Sequence, residues 1–406
     1  MAPFDSPDGG HYRPRQHPAS TIAAAMSNRP QHELETIRAA GLWRELHRIE
    51  GAVDTWVTVD GRRALLLCSN NYLGLAHHPA LAEAAARAAR DYGVGAGASR
   101  LISGSLALHV ALEERLATLE GTEAALLFPS GYHANIGAIA TLVGRGDAIF
   151  SDALNHASII DGCRLSGAAV HVYPHRDTTA LAEALATSSA RRRLIVTDSV
   201  FSMDGDHAPL REICALADTH GAMVMVDEAH ATGVFGANGG GLVEALGLHG
   251  RVTVQMGTLG KALGCAGAFV AAERAIIDLL VNRARSFIYT TALAPPIVGA
   301  VAAALDIVAR EPERRAELLR RSAALRTRLG ALGLRVPPGE GPILPVIVGE
   351  SDDAMHASRT LLERGVFVQA IRPPTVPPGT ARLRVTLMAT HDDADLAHAA
   401  TAFAAI

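Results

Sequence analysis

Met223-Val224-Met225-Val226-Asp227-Glu228-Ala229-His230 is an apolar tetrad that runs straight into a carboxylate. Consecutive apolar residues bounded by polar ones read as a strand covered on both faces, as in a parallel sheet. Further strands are read at Ala124–Phe128, Ala148–Ser151, Val170–Tyr173, Leu194–Asp198, Val252–Met256 and Ala268–Ala271, several of them similar apolar runs, with helical segments between them. Strand and helix in alternation imply crossover units, and ligands of such sheets bind beyond the carboxyl ends of the strands. Asp227 stands at that point. A carboxylate there can hold a pyridine nitrogen protonated, because a nearby opposite charge favours the charged form. His230, three residues on, can hydrogen-bond a ring oxygen. The same residues also suit a strand-end cap beside a structural histidine.

Working outward, the next segment is Thr258-Leu259-Gly260-Lys261-Ala262-Leu263-Gly264, and Lys261 is the only lysine in the chain. An amine flanked by small residues after an apolar strand is suited to imine formation, since desolvation lowers its pKa; the alternative is a lone surface lysine. Phe128-Pro129-Ser130-Gly131-Tyr132-His133-Ala134-Asn135 joins a strand to a helix. Gly131 permits close backbone approach, and a helix start presents free N–H groups to a phosphate, to which Thr258 can add a hydroxyl. His156, in Asn155-His156-Ala157-Ser158, also follows a strand; it can stack on a flat cofactor, or be structural. Near the C-terminus, Arg372-Pro373-Pro374 precedes Arg382-Leu383-Arg384-Val385-Thr386. Alternation puts Arg382 and Arg384 on one face, where a guanidinium can clamp a carboxylate. An edge strand with solvated charges would look the same.

The 406 residues, 49% hydrophobic and 19% charged, suit a large α/β domain with a smaller one. A net charge of -4 gives no reason to expect nucleic acid or anionic lipid, and no apolar run reaches membrane-spanning length. Cys68, Cys163, Cys214 and Cys265 are far apart, which argues against a metal site or disulfide framework and for a reducing cytoplasm. Residues 1–31, rich in Pro, His, Gly and Arg, read as a mobile tail, with Met26 a second candidate start. Residues 32–69 read as a helix from His32 to about Glu50 followed by small strands. A large ligand-binding domain is expected over 70–300. It leads, through one long helical stretch Pro296–Leu332, into an α+β unit over 301–406 with strands near Leu344–Val348, Val366–Gln369 and Arg382–Leu387.

Taken together, SNNYLGL (Ser69–Leu75), FPSGYHAN, NHAS, DSVFSMDGD (Asp198–Asp206), VDEAHATG (Val226–Gly233), TLGKALG and AIRPPTVPPGTARLRVTL (Ala370–Leu387) resemble the α-oxoamine synthase family from Leu34 onward. The resemblance implies the fold type I architecture of pyridoxal-5'-phosphate (PLP) transferases: a mostly parallel mixed sheet with a small C-terminal domain. It implies PLP on Lys261, which later takes the Cα proton, with Asp227 at the ring nitrogen and His230 and Ser202 on the ring-oxygen side. His156 would stack on the ring. Gly131, Tyr132 and Thr258 would hold the phosphate with Thr291 of a second subunit, in a homodimer that shares its active site. Asn70 would approach the substrate, Arg384 the amino acid carboxylate, and Arg44 and Arg372 the acyl end or a carboxylate. The implied reaction joins L-alanine, or glycine in a sister branch, to an acyl-CoA or its carrier-protein equivalent, with loss of CO2. Asp198 stands where some members carry Glu, and TLGKALG also occurs in the glycine-using branch.

Overall fold

The computed structural model describes residues 19–406, with side chains from Arg29 onward. Fourteen strands order the described chain. They are β1 (Ile49–Glu50), β2 (Trp56–Val59), β3 (Arg62–Leu66), β4 (Ala124–Phe128), β5 (Ala148–Asp152), β6 (Ala169–Tyr173) and β7 (Arg193–Asp198), then β8 (Met223–Asp227), β9 (Val254–Thr258), β10 (Ala268–Ala272), β11 (Ile343–Gly349), β12 (Val366–Phe367), β13 (Gln369–Ile371) and β14 (Ala381–Thr386). The first five helices are α1 (Ala19–Ala39), α2 (Pro79–Tyr92), α3 (Ala107–Glu120), α4 (Gly131–Leu142) and α5 (Ala157–Ser166).

Strands β4 to β10 form one seven-stranded sheet in the order β4-β10-β9-β8-β7-β5-β6. All its pairings are parallel except those of β10, which runs antiparallel to both β4 and β9. The apolar runs explain the depth of this sheet: β4, β5 and β10 are buried along their whole length. One core layer packs on each face. Leu127, Phe150, Val226 and Phe269 point into the first, and Leu126, Ile149, Met225 and Val270 into the second. Strand order reverses direction at β5, which lies between β6 and β7, and on the neighbouring β7–β8 pair Asp198 and Asp227 stand side by side in register at the strand ends.

Two smaller sheets follow. One has the order β1-β2-β3-β12, with β12 parallel to β3, and the other has the order β11-β14-β13, all antiparallel. Val366–Gln369, expected as one strand, is thus divided: β12 joins the first sheet and β13 the second, with Val368 between them. β14 is a central strand, so the reading of Arg382 and Arg384 as edge charges in solvent is set aside; both are buried.

Three further expectations change. The helix expected over His32–Glu50 is α1, which starts at Ala19 and stops at Ala39, ahead of Gly41 at φ +66°. Residues 19–31, read as tail, therefore form the first part of α1, where Ala23-Ala24-Ala25-Met26 supplies strong helix formers; residues 1–18 lie outside the described residues. The stretch Pro296–Leu332 is two helices, Pro295–Arg310 and Pro312–Ala331. Pro312 cannot donate to the first helix and starts the second, the position proline favours. The described residues up to Arg48 and Ile49–Ile406 form separate compact units. No described helix is long and apolar enough to cross a membrane, and all four cysteines are free.

Candidate active site

The ends of β7, β8 and β9 and the starts of α4 and α5 carry the site. Asp227 ends β8 almost fully buried. Its Oδ1 accepts the Ala229 N–H at 2.9 Å, so the turn-capping role is real, while Oδ2 accepts Asn135 Nδ2–H at 2.8 Å. The same Asn135 amide donates to Ser158 Oγ at 2.9 Å, and its Oδ1 is buried without a partner among the described residues. Asp198, beside Asp227, accepts the His156 N–H at 2.7 Å. Burial first, and then the Asp227 charge, pushes the Asp198 carboxyl well above the usual carboxylate range.

Lys261 follows β9 and is partly buried. Burial lowers its pKa to about 8, against the pull of Asp227 and Asp198 and with the push of Arg384. That supplies a useful fraction of neutral amine near physiological pH. His156 caps α5: its Nδ1 accepts the Ser158 N–H at 3.3 Å and lies 2.7 Å from Ser158 Oγ. An accepting Nδ1 places the ring proton on Nε2 in the neutral imidazole. Burial lowers the His156 pKa, with Asp227 opposing and Lys261 adding to the effect. His230 is held far below its ordinary value by burial and then by the charges of Lys261 and Arg384. Its Nδ1 lies 2.7 Å from the Tyr72 hydroxyl, so contact with a ligand falls to Nε2.

A second cluster faces the first. Arg384, on β14, donates from Nε to the Ser202 carbonyl, from Nη1 to Asn70 Oδ1 at 3.1 Å and from Nη2 to the Tyr72 hydroxyl at 3.4 Å. Arg382, on the same face, pairs with Asp204 instead. At the start of α4, Ser130 is the cap and Gly131 the first helical residue. A Cβ on Gly131 would stand 2.9 Å from Thr258 Cγ2, so glycine is needed where these two segments meet. The first N–H groups of a helix have no partner within it, which leaves those of Gly131 and Tyr132 to an anion.

Lys261, Asp227, His156, His230, Asn70, Ser202 and Arg384 are thus drawn together, with Gly131 and Thr258 in contact nearby. Tyr132 turns its hydroxyl to Asp161 at 2.5 Å and is exposed. Thr291 is exposed ahead of the helix Pro295–Arg310, Arg372 lies just after β13, and Arg44 belongs to the N-terminal unit. None of the bonds described above reaches these three. Sequence reading assigned no role to Tyr72, Asn135 or Ser158. Tyr72 and Asn135 lie within quoted motifs, yet their partners sit 158 and 92 positions away, a separation that no local pattern encodes.

An aldehyde cofactor with a basic ring nitrogen and a phosphate fits this set: an amine of lowered pKa, a buried carboxylate held by Asn135, and a glycine-lined helix start. The aminotransferase class I and II family model matches residues 62–403. The chain belongs to this family. PLP is its cofactor, and within the family its relatives are synthases. The 8-amino-7-oxononanoate synthase of Anaeromyxobacter dehalogenans is 56% identical over 374 residues, 92% of this chain and 94% of that protein. The one from Geobacter metallireducens is 54% identical, over 94% of this chain and 98% of the other. Among solved structures, Sphingomonas wittichii serine palmitoyltransferase superposes with a TM-score of 0.88 at 33% identity, covering 93% of this chain and 96% of its own.

Proposed function

We propose that this enzyme condenses L-alanine with the thioester of pimeloyl-CoA, or of its carrier-protein equivalent, to give 8-amino-7-oxononanoate, CO2 and free thiol. The product serves biotin assembly. The observation that carries the proposal is the near full-length identity to 8-amino-7-oxononanoate synthases, coupled with a complete amine–carboxylate–arginine site. Bound PLP supplies the electron sink for charge left at the substrate Cα. Asp227 keeps the ring nitrogen cationic. Arg384 holds the alanine carboxylate, with Asn70 and Tyr72 fixing the guanidinium plane. Lys261, once free, takes the Cα proton. His156 donates from Nε2 to the thioester or carboxylate oxygen. Gly131, Tyr132 and Thr258 hold the phosphate, completed by Thr291 of a second subunit in a homodimer. Arg44 and Arg372 serve the acid end of the acyl chain, for which a short acetyl group has no use.

Alanine and glycine differ by one methyl, a discrimination of about 1–3 kcal/mol, so the test must cross both substrates. Thiol release is measured with alanine, glycine and serine against acetyl-, pimeloyl- and palmitoyl-CoA. The alanine–pimeloyl pair is expected to give the highest kcat/KM. A maximum with glycine and acetyl-CoA, or with serine and palmitoyl-CoA, would overturn the assignment.

A further inference from the structure

Residues 199–208 form a hairpin-like loop closed by the Val200–His207 bridge. Phe201 N–H donates to the Asp206 carbonyl at 3.0 Å, Gly205 N–H to that of Phe201 at 2.8 Å, and Ala208 N–H to that of Ser199 at 2.9 Å. One side of the loop meets β14, where the Ser202 carbonyl takes Arg384 and Asp204 takes Arg382. The other side is held by His175, which the site described above does not use. Its Nδ1 lies 2.9 Å from Asp152 Oδ1 at the end of β5, and its Nε2 lies 2.9 Å from Asp206 Oδ2. Its ring stands edge-on to Phe201 at 4.4 Å between centroids. Arg176 adds its N–H to Asp152 Oδ2 at 2.8 Å and Nη1 to Asp206 Oδ2 at 3.0 Å.

Both ring nitrogens of His175 therefore face carboxylates, and only the imidazolium can donate to both. Asp152 and Asp206 raise the His175 pKa to about 9 in spite of its burial. The chain of contacts runs from β5 through Asp152, His175 and Asp206 to the loop, and from Ser202 to Arg384.

We infer that His175 is a positioning residue: bridging Asp152 and Asp206, it fixes the 199–208 loop and through the Ser202 carbonyl sets the aim of Arg384 at the substrate carboxylate. The second half of this rests on the role proposed above for Arg384. The first half does not.

The test compares wild-type holoenzyme with His175→Phe, which keeps a ring against Phe201, and with His175→Gln, which keeps a donor. Hydrogen–deuterium exchange of peptides spanning 199–208 is read beside steady-state kinetics and the visible absorbance of the bound cofactor. In His175→Phe, exchange at 199–208 should quicken by about tenfold, and KM for the amino acid should rise about tenfold at nearly unchanged kcat and absorbance. His175→Gln should recover part of both. Unchanged exchange would overturn the latch; quickened exchange with an unchanged KM would overturn its reach to Arg384. Arg384→Gln separates the two halves. If it leaves KM unaltered, the role of Arg384 fails while the latch still stands on exchange. Should His175→Phe not fold, Asp206→Asn, which removes the charge but keeps an acceptor, takes its place. Steady exchange in that variant again defeats the latch, and a steady KM defeats its reach to Arg384.

Discussion

Lys261→Ala is expected to abolish turnover and the visible absorbance of the lysine imine; retained activity would refute the role of this nitrogen. The two aspartates beside it predict an asymmetry. Burial raises the Asp198 carboxyl well above the usual carboxylate range, so Asp198→Asn, which removes that ionisation, should change kcat by only a few fold. Asp227, held by Asn135, is the carboxylate placed for the ring nitrogen; breaking a buried ionic pair costs about 3–5 kcal/mol, so Asp227→Asn should lower kcat by about two to four orders of magnitude. Equal losses in the two variants would overturn this asymmetry. Sequence reading reached Asp227, His230 and Lys261 because each follows an apolar strand, a position with a known relation to ligands. It did not reach Asn135 as the partner of Asp227, nor Tyr72 as the partner of His230. Those pairings are products of packing, and neither side chain differs in type from many others nearby.

At the scale of elements, turn chemistry and apolar runs made most of the large sheet legible. β4 begins and ends where expected, and β8 runs from Met223 into the carboxylate of Asp227. Boundaries failed where a single residue decided them, as at Pro312, or where the chain passes from one sheet to another, as at Val368. Gly257 on β9 shows a constraint hidden from sequence: a Cβ there would stand 2.3 Å from the ring of the buried Phe269. Gly257→Ala is therefore expected to lose about 1–3 kcal/mol through overpacking, seen as a lowered unfolding midpoint; no loss would mean that β10 yields more easily than its burial implies. The His175 bridge predicts a pH dependence of stability. Its raised pKa favours the folded state fully below the unfolded value of 6.5, and this contribution fades as pH climbs through about 9. Unfolding midpoints should fall between those limits in wild type and fall less in His175→Phe; parallel curves would remove His175 as the cause.

For the whole molecule, the central proposal is that two subunits complete each site. Thr291 is exposed in the single chain and lies outside the bonds that link the Lys261 cluster. Mixing Lys261→Ala subunits with Thr291→Ala subunits would then yield heterodimers in which one site holds both defects and the other neither. Activity should exceed that of either parent preparation, whereas simple averaging would place Thr291 outside the partner's site. The N-terminal unit was the least legible part, since an alanine-rich helix start was hidden within a stretch dominated by Pro, His and Arg. The solitary, half-sheltered amine has a practical corollary. A protease cutting after lysine can cleave the unfolded chain at a single place, into 1–261 and 262–406. Borohydride treatment before unfolding would shield that bond wherever cofactor had been attached. The ratio of whole to severed chains on a denaturing gel would then report the occupied fraction of a preparation, with no substrate required.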